Sequence, residues 1–128
     1  MHKGILHHIE FNVSNLTRSL EFWGWLLPRL GYEPFQRWDK GKSWKKGETY
    51  IVFVQVEESY ADIPFHRKRV GLNHIAFHVE SREQLESLIQ ELRVRNIPVL
   101  YSDRYPRDDW YAVYFEDPDR VKVEVIAL

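Results

Sequence analysis

Apolar and polar residues alternate along "LHHIEFNV", residues 6–13. Ile9, Phe11 and Val13 fall on one face of a strand, and His8, Glu10 and Asn12 fall on the other. The pattern returns in "LNHIAFHV", residues 72–79, where Ile75, Phe77 and Val79 alternate with His74, Ala76 and His78. Leu, His, Ile, Phe and Val recur at matched positions, so the chain carries an internal duplication with a histidine opening each copy. After each strand the apolar spacing becomes helical: Leu16, Leu20, Trp23 and Leu27 in the first half, Leu85, Leu88, Ile89 and Leu92 in the second. Ser14-Asn15 caps the first helix, and Ser81 with Gln84 forms a capping-box pattern on the second. Pro28 ends or kinks the first helix, and Gly31 and Asn96-Ile97-Pro98 close the two units. Alternation resumes over 50–57, 110–115 and 121–127, so each half reads strand, helix, strand and then further strands. The expected organisation is one domain over 1–128, with module one at 1–57, a connector at 58–70 and module two at 71–128. The connector's basic run, His66-Arg67-Lys68-Arg69, is expected as a solvated loop.

With 128 residues and 44% hydrophobic content, the chain can build one core without staples. A net charge of −1 gives no electrostatic footprint for nucleic acid or for an anionic membrane. Neither is expected as a partner. The N-terminal MHKGILHH has no apolar signal-peptide core, and no apolar run is long enough to span a bilayer, which points to a cytoplasmic protein. Without cysteine, any metal must be held by His, Asp or Glu. Five Trp, seven Tyr and seven Phe suit an aromatic-lined cavity and a well-filled core equally.

Helices on the apolar strand faces leave the opposite faces, with His8 and His74, to enclose a concave space. In the last strand Val121, Val123 and Val125 alternate with Lys122, Glu124 and Ile126, which gives Glu124 the inward parity. A His8, His74, Glu124 set suits Mn, Fe, Co, Ni or Zn and leaves coordination positions free, as catalytic sites do. Glu10 shares the His8 face and reads as a general base or as a solvated carboxylate; His78, on the same face of the second copy, is the candidate for that part there. Trp38, Trp44, Tyr101, Tyr105, Trp110 and Tyr114 fall in or beside the loops and strands that would rim the space. Trp44, Tyr105, Trp110 and Tyr114 are the candidate substrate contacts among them. Arg104 and Arg107 either pair with a substrate carboxylate or phosphonate, or with the Asp residues beside them.

The opening "HHIEFNVSNLTRSLEFW", its copy "NHIAFHVESREQLESLIQELRVRNIPVL" and the closing "YFEDPDRVKVEV" resemble the vicinal oxygen chelate superfamily, across essentially the whole chain. That superfamily includes glyoxalase I, bleomycin resistance proteins, fosfomycin resistance enzymes and extradiol dioxygenases. The resemblance implies an α+β fold of two pseudo-symmetric βαβββ modules forming a sheet-walled cup, a divalent metal on His8, His74 and Glu124, and a homodimer. It implies an enzyme that chelates a small substrate through two oxygens and stabilises an oxyanion or enolate. The alternative is a metal-free dimer that binds aromatic drugs, as bleomycin resistance proteins do.

The chain departs from the family pattern in three places. Four-ligand members such as glyoxalase I have a glutamate on the strand corresponding to 50–57, where Ile51, Phe53 and Gln55 are expected to share the His8 face. Gln55 then offers only a neutral oxygen or a substrate contact, which favours a thiol transferase or dioxygenase over glyoxalase I. The usual Asp-Pro-Asp-Gly turn reads Asp117-Pro118-Asp119-Arg120, and the end of the first helix, from Phe22-Trp23 to Leu30-Gly31, is longer than usual.

Overall fold

The computed structural model describes residues 3–128, which form two compact units that meet in sequence between Pro64 and Phe65. The first contains β1 (His8–Val13), α1 (Leu16–Arg29), β2 (Glu33–Trp38), β3 (Gly41–Lys46) and β4 (Thr49–Gln55). The second contains β5 (His74–His78), α2 (Arg82–Val94), β6 (Val99–Leu100), β7 (Ala112–Glu116) and β8 (Lys122–Ile126). Each unit is therefore a βαβββ module. Its sheet has the order β1-β4-β3-β2 or β5-β8-β7-β6, with the first strand parallel to the last and the remaining pairs antiparallel. The β2–β3 hairpin was not resolved by pattern alone, because every residue of β2 is exposed and its Pro34 gives no apolar alternation.

Both helices begin and end by the same local chemistry. The Asn15 side chain accepts from the Arg18 amide at 3.1 Å, and Ser81 Oγ accepts from the Gln84 amide at 3.1 Å. Gln84 reaches back to the Glu80 amide, one residue ahead of the cap, at 2.8 Å. At the other ends, Gly31 (φ 90°) and Asn96 (φ 58°) adopt the left-handed conformation. Tyr32 then donates to the Leu27 carbonyl and Ile97 to the Leu92 carbonyl, which closes each helix as a Schellman motif. Pro28 falls within the last turn, so α1 ends one residue after it.

In the first unit, Trp23 of α1 stacks on Phe53 of β4, with ring centroids 5.0 Å apart, and Phe11 of β1 lies against both. In the second, Leu85, Leu88, Ile89 and Leu92 are buried, as are Phe77, Val113, Phe115, Val123 and Val125 of the sheet. Each helix thus takes up one sheet face through dispersion and the removal of apolar surface from water. The other face mixes polar and apolar side chains: His8, Glu10 and Asn12 beside Val52 and Val54 in the first unit, and His74 and Glu124 beside Ala112, Tyr114 and Ile126 in the second.

Register corrects one expectation. β1 and β4 pair as His8 with Tyr50, Glu10 with Val52 and Asn12 with Val54. Tyr50, Val52 and Val54 therefore share the His8 face, and Ile51, Phe53 and Gln55 belong to the opposite one. Alternation fixes which residues of a strand go together but not which set meets a given neighbour, and a one-residue slip exchanges the two.

The Asp117–Arg120 turn has the conformation that family glycines suit: Arg120 has φ 66°. Buried Asp117 holds it, accepting through Oδ1 from the Asp119 amide at 2.9 Å and the Val121 amide at 2.8 Å.

Candidate functional site

β5 and β8 bring His74 and Glu124 together. Ala76 is the register partner of Glu124, and His74 is that of Lys122, so all four share one face of the second sheet. Glu124 is 4% exposed, and its Oε1 lies 3.1 Å from His74 Nε2. Its other oxygen, Oε2, accepts from Trp110 Nε1 at 2.9 Å and from the Tyr114 hydroxyl at 3.0 Å. A buried carboxylate needs such partners, and two neutral donors satisfy one oxygen while leaving the other for a cation. Burial, followed by the hydrogen bond to Glu124, pushes the Tyr114 hydroxyl up to about 12, so it stays a donor.

The imidazole is oriented from its far side. His74 Nδ1 lies 2.8 Å from Asn73 Oδ1, where an Nδ1–H donates to the amide oxygen and, in the neutral ring, the Nε2 lone pair is the one turned to Glu124. A lone pair facing a carboxylate needs a positive species between them, either a second proton or a metal ion. Two donors about 2.1 Å from one ion, at right angles to each other, stand about 3.0 Å apart. The observed pair has that separation, and imidazole nitrogen with carboxylate oxygen is the donor chemistry of the divalent metals expected from the sequence.

His8, the third candidate, opens β1 in the first unit. Its ring stacks on Tyr50 with centroids 4.8 Å apart and planes 4° from parallel, and its Nδ1 lies 2.8 Å from that of His7. Glu10 and His78 are exposed on the polar faces of their strands. Among the described residues, neither unit by itself assembles three His, Asp or Glu side chains around a common point. The two registers also identify the counterpart of Glu124 in the first module. Glu124 opposes Ala76 on β5, and Val52 opposes Glu10 on β1, so valine stands where the resemblance to four-ligand proteins led a glutamate to be sought.

Of the expected substrate contacts, Trp110, Tyr114 and Tyr105 gather in the second unit. Tyr105 lies 5.1 Å from the Tyr114 ring, with Tyr101 5.4 Å away on another side, and Trp110 is 39% exposed. Two other expectations require correction. Trp44 is a core residue, 2% exposed, against Phe53 and Gly24, because its register with Ile51 puts it on the helix-covered face. Gln55 is committed to the turn after β1: its Oε1 accepts from the Leu16 amide and its Nε2 donates to the Ser14 carbonyl, both at 2.9 Å. Arg104 lies over the Tyr101 ring with Asp103 at 3.9 Å, and Arg107 pairs with Asp109 at 3.0 Å. Asn73 and Lys122 were not singled out from sequence, although Lys122 has the same parity as Glu124 in "VKVEV". No helix among the described residues is long and apolar enough to cross a membrane.

Residues 5–125 match a family model described as the Glyoxalase/Bleomycin resistance protein/Dioxygenase superfamily. The chain is 50% identical over 125 residues to the uncharacterised protein YqjT of Bacillus subtilis (strain 168), covering 95% of this chain and 98% of that protein. It is 26% identical over 121 residues to the metallothiol transferase FosB of Staphylococcus saprophyticus, covering 94% of this chain and 74% of the transferase. A crystal structure of a provisionally named glyoxalase from Bacillus halodurans superposes with a TM-score of 0.95 at 52% identity, covering 99% and 98% of the two chains.

Proposed function

Because the chain belongs to the glyoxalase/bleomycin resistance protein/dioxygenase superfamily, we propose that it is a divalent-metal-dependent enzyme acting on a small molecule, with His74, Glu124 and His8 as the metal-holding residues. The observation that carries this reading is the approach of His74 Nε2 to Glu124 Oε1 at 3.1 Å, each group held from behind by partners that leave the facing atoms free. Mn, Fe, Co, Ni or Zn bound there would act as a Lewis acid toward two substrate oxygens and stabilise an oxyanion or enolate. The residues of the chain supply the rest. Trp110 and Tyr114 fix the carboxylate, Asn73 fixes the imidazole, and Glu10 and His78 are the candidate proton carriers on the two polar faces.

Valine at position 52 leaves three protein donors, which favours a thiol transferase or dioxygenase over a glyoxalase I-type isomerase. The likeness to a metallothiol transferase supports the first of these. The rings of Tyr101, Tyr105, Tyr114 and the exposed Trp110 favour the second reading, a metal-free binder of aromatic ligands. A homodimer is part of the proposal under either reading.

Elemental mass spectrometry after dialysis without chelator separates the two. The native protein should retain close to one ion per chain, and His74→Ala and Glu124→Gln should lose it. A native protein that holds no ion even after reconstitution with excess metal would overturn the enzyme reading.

A further inference from the structure

Beyond Glu124 on the same sheet face, the second unit gathers three cations around one carboxylate. Lys122 opens β8, in register with His74 and two residues before Glu124, so their Cα atoms are about 7 Å apart along the strand. Its ammonium donates to the Tyr101 hydroxyl at 3.3 Å and lies 5.3 Å from the centre of that ring. Glu116 opposes Lys122 on β7, but its Oε2 is taken by Arg67 Nη1 and by Arg120 Nε at 3.4 Å. Among the described residues, Lys122 makes no ion pair with a carboxylate.

Arg67 comes from the connector that the sequence assigned to solvent. Its side chain is only 17% exposed, and Nη1 also reaches the Arg120 carbonyl at 3.4 Å. Tyr101 is held at φ 55°, a left-handed backbone that bulky residues rarely adopt. That conformation sets its ring between Lys122 and Tyr114, and Tyr114 donates to Glu124. Lys122 and Arg67 both lower the Tyr101 hydroxyl, the hydrogen bond from Lys122 most of all. The result is an excess of positive charge, with phenol and ammonium donors, joined to the His74–Glu124 pair by a continuous wall of tyrosine.

We propose that Lys122, Arg67 and the Tyr101 hydroxyl form an oxyanion subsite, so that the substrate carries a carboxylate, phosphonate or phosphate group. The placement of that group beside the chelated oxygens rests on the metal-dependent reading above; the anion site itself does not. Two fixed cations and a neutral donor suit a group with several equivalent oxygens. Arg104 and Arg107 are less suited, since their side chains are 59% and 50% exposed and each has an aspartate beside it, whereas that of Arg67 is held largely out of water.

The test is equilibrium binding of methylphosphonate and of acetate to the full chain, with the metal removed by chelator and again after loading with Zn. The uncharged dimethyl ester of methylphosphonate is the control. The metal-free native protein should bind an anion and ignore the ester. Lys122→Gln and Arg67→Gln should each weaken binding about tenfold, whereas Arg67→Lys and Arg107→Gln should change it less than about threefold. Arg67→Lys guards against a folding defect in the neutral variant. The proposal is overturned if the metal-free protein binds neither anion, if Lys122→Gln binds as the native protein does, or if Arg107→Gln carries the loss. A protein that takes up no Zn yet loses anion binding in Lys122→Gln keeps the subsite and discards the metal reading. One that takes up Zn but binds no anion when metal-free does the reverse.

Discussion

Tyr114→Phe isolates one hydroxyl in the support of Glu124. The ring, with its contacts to Tyr101 and Tyr105, is kept, and only the donor 3.0 Å from Oε2 is lost. Trp110 Nε1 still donates to the same oxygen at 2.9 Å, so the carboxylate keeps one of two neutral partners. A hydrogen bond to a charged group contributes about 1.5–3 kcal/mol, and the 4% exposure of Glu124 leaves water little room to replace it. With a urea m-value of about 2 kcal/mol/M, the midpoint of the chelator-treated protein should fall by about 1 M with unchanged slope. Zn or Mn affinity should fall about 10–100-fold, the usual cost of removing a partner that orients a ligand. Trp110→Phe should behave alike, and the double variant should lose more than the sum, because the second deletion leaves the buried oxygen without a donor. The same residue governs alkaline behaviour. Its hydroxyl is raised from about 10 when unfolded to about 12 when folded, so its contribution is complete below pH 10 and is lost as pH rises through 12. Native stability should therefore fall more steeply over that interval than that of Tyr114→Phe. Equal urea midpoints and equal metal affinity in native and variant would refute the idea that Tyr114 holds Glu124.

Gln55→Ala should lower stability by about 1–2 kcal/mol, measured by urea unfolding, through loss of the Leu16 and Ser14 contacts, and should leave metal content unchanged. Arg120→Gly should raise stability by about 0.5–1 kcal/mol in the same assay, since relief of φ 66° outweighs the freer unfolded chain and the loss of a pair in which Arg120 is 74% exposed. Trp44→Ala should lower it by about 3–5 kcal/mol, as expected of a core residue and not of a rim contact.

The duplication, both helices with their caps, the parity of Glu124 and a histidine at the start of the first strand in each module were determined by the sequence alone. Each rests on local chemistry or on a period within a single strand, which neighbouring residues specify for themselves. Register across the sheet was decided only in three dimensions. Whether Val52 or Ile51 shares the His8 face depends on how β4 slides against β1, and that choice sent Trp44 and Gln55 away from the polar face and put valine opposite Glu10. Contacts between distant segments were decided there too. Trp110 on Glu124, Asn73 oriented behind its histidine, and Arg67 drawn from the connector onto Glu116 all follow from side chains that meet only after the sheet has formed. Such contacts leave no period in the chain, because what selects them is the burial of a charge that must find partners once water is excluded.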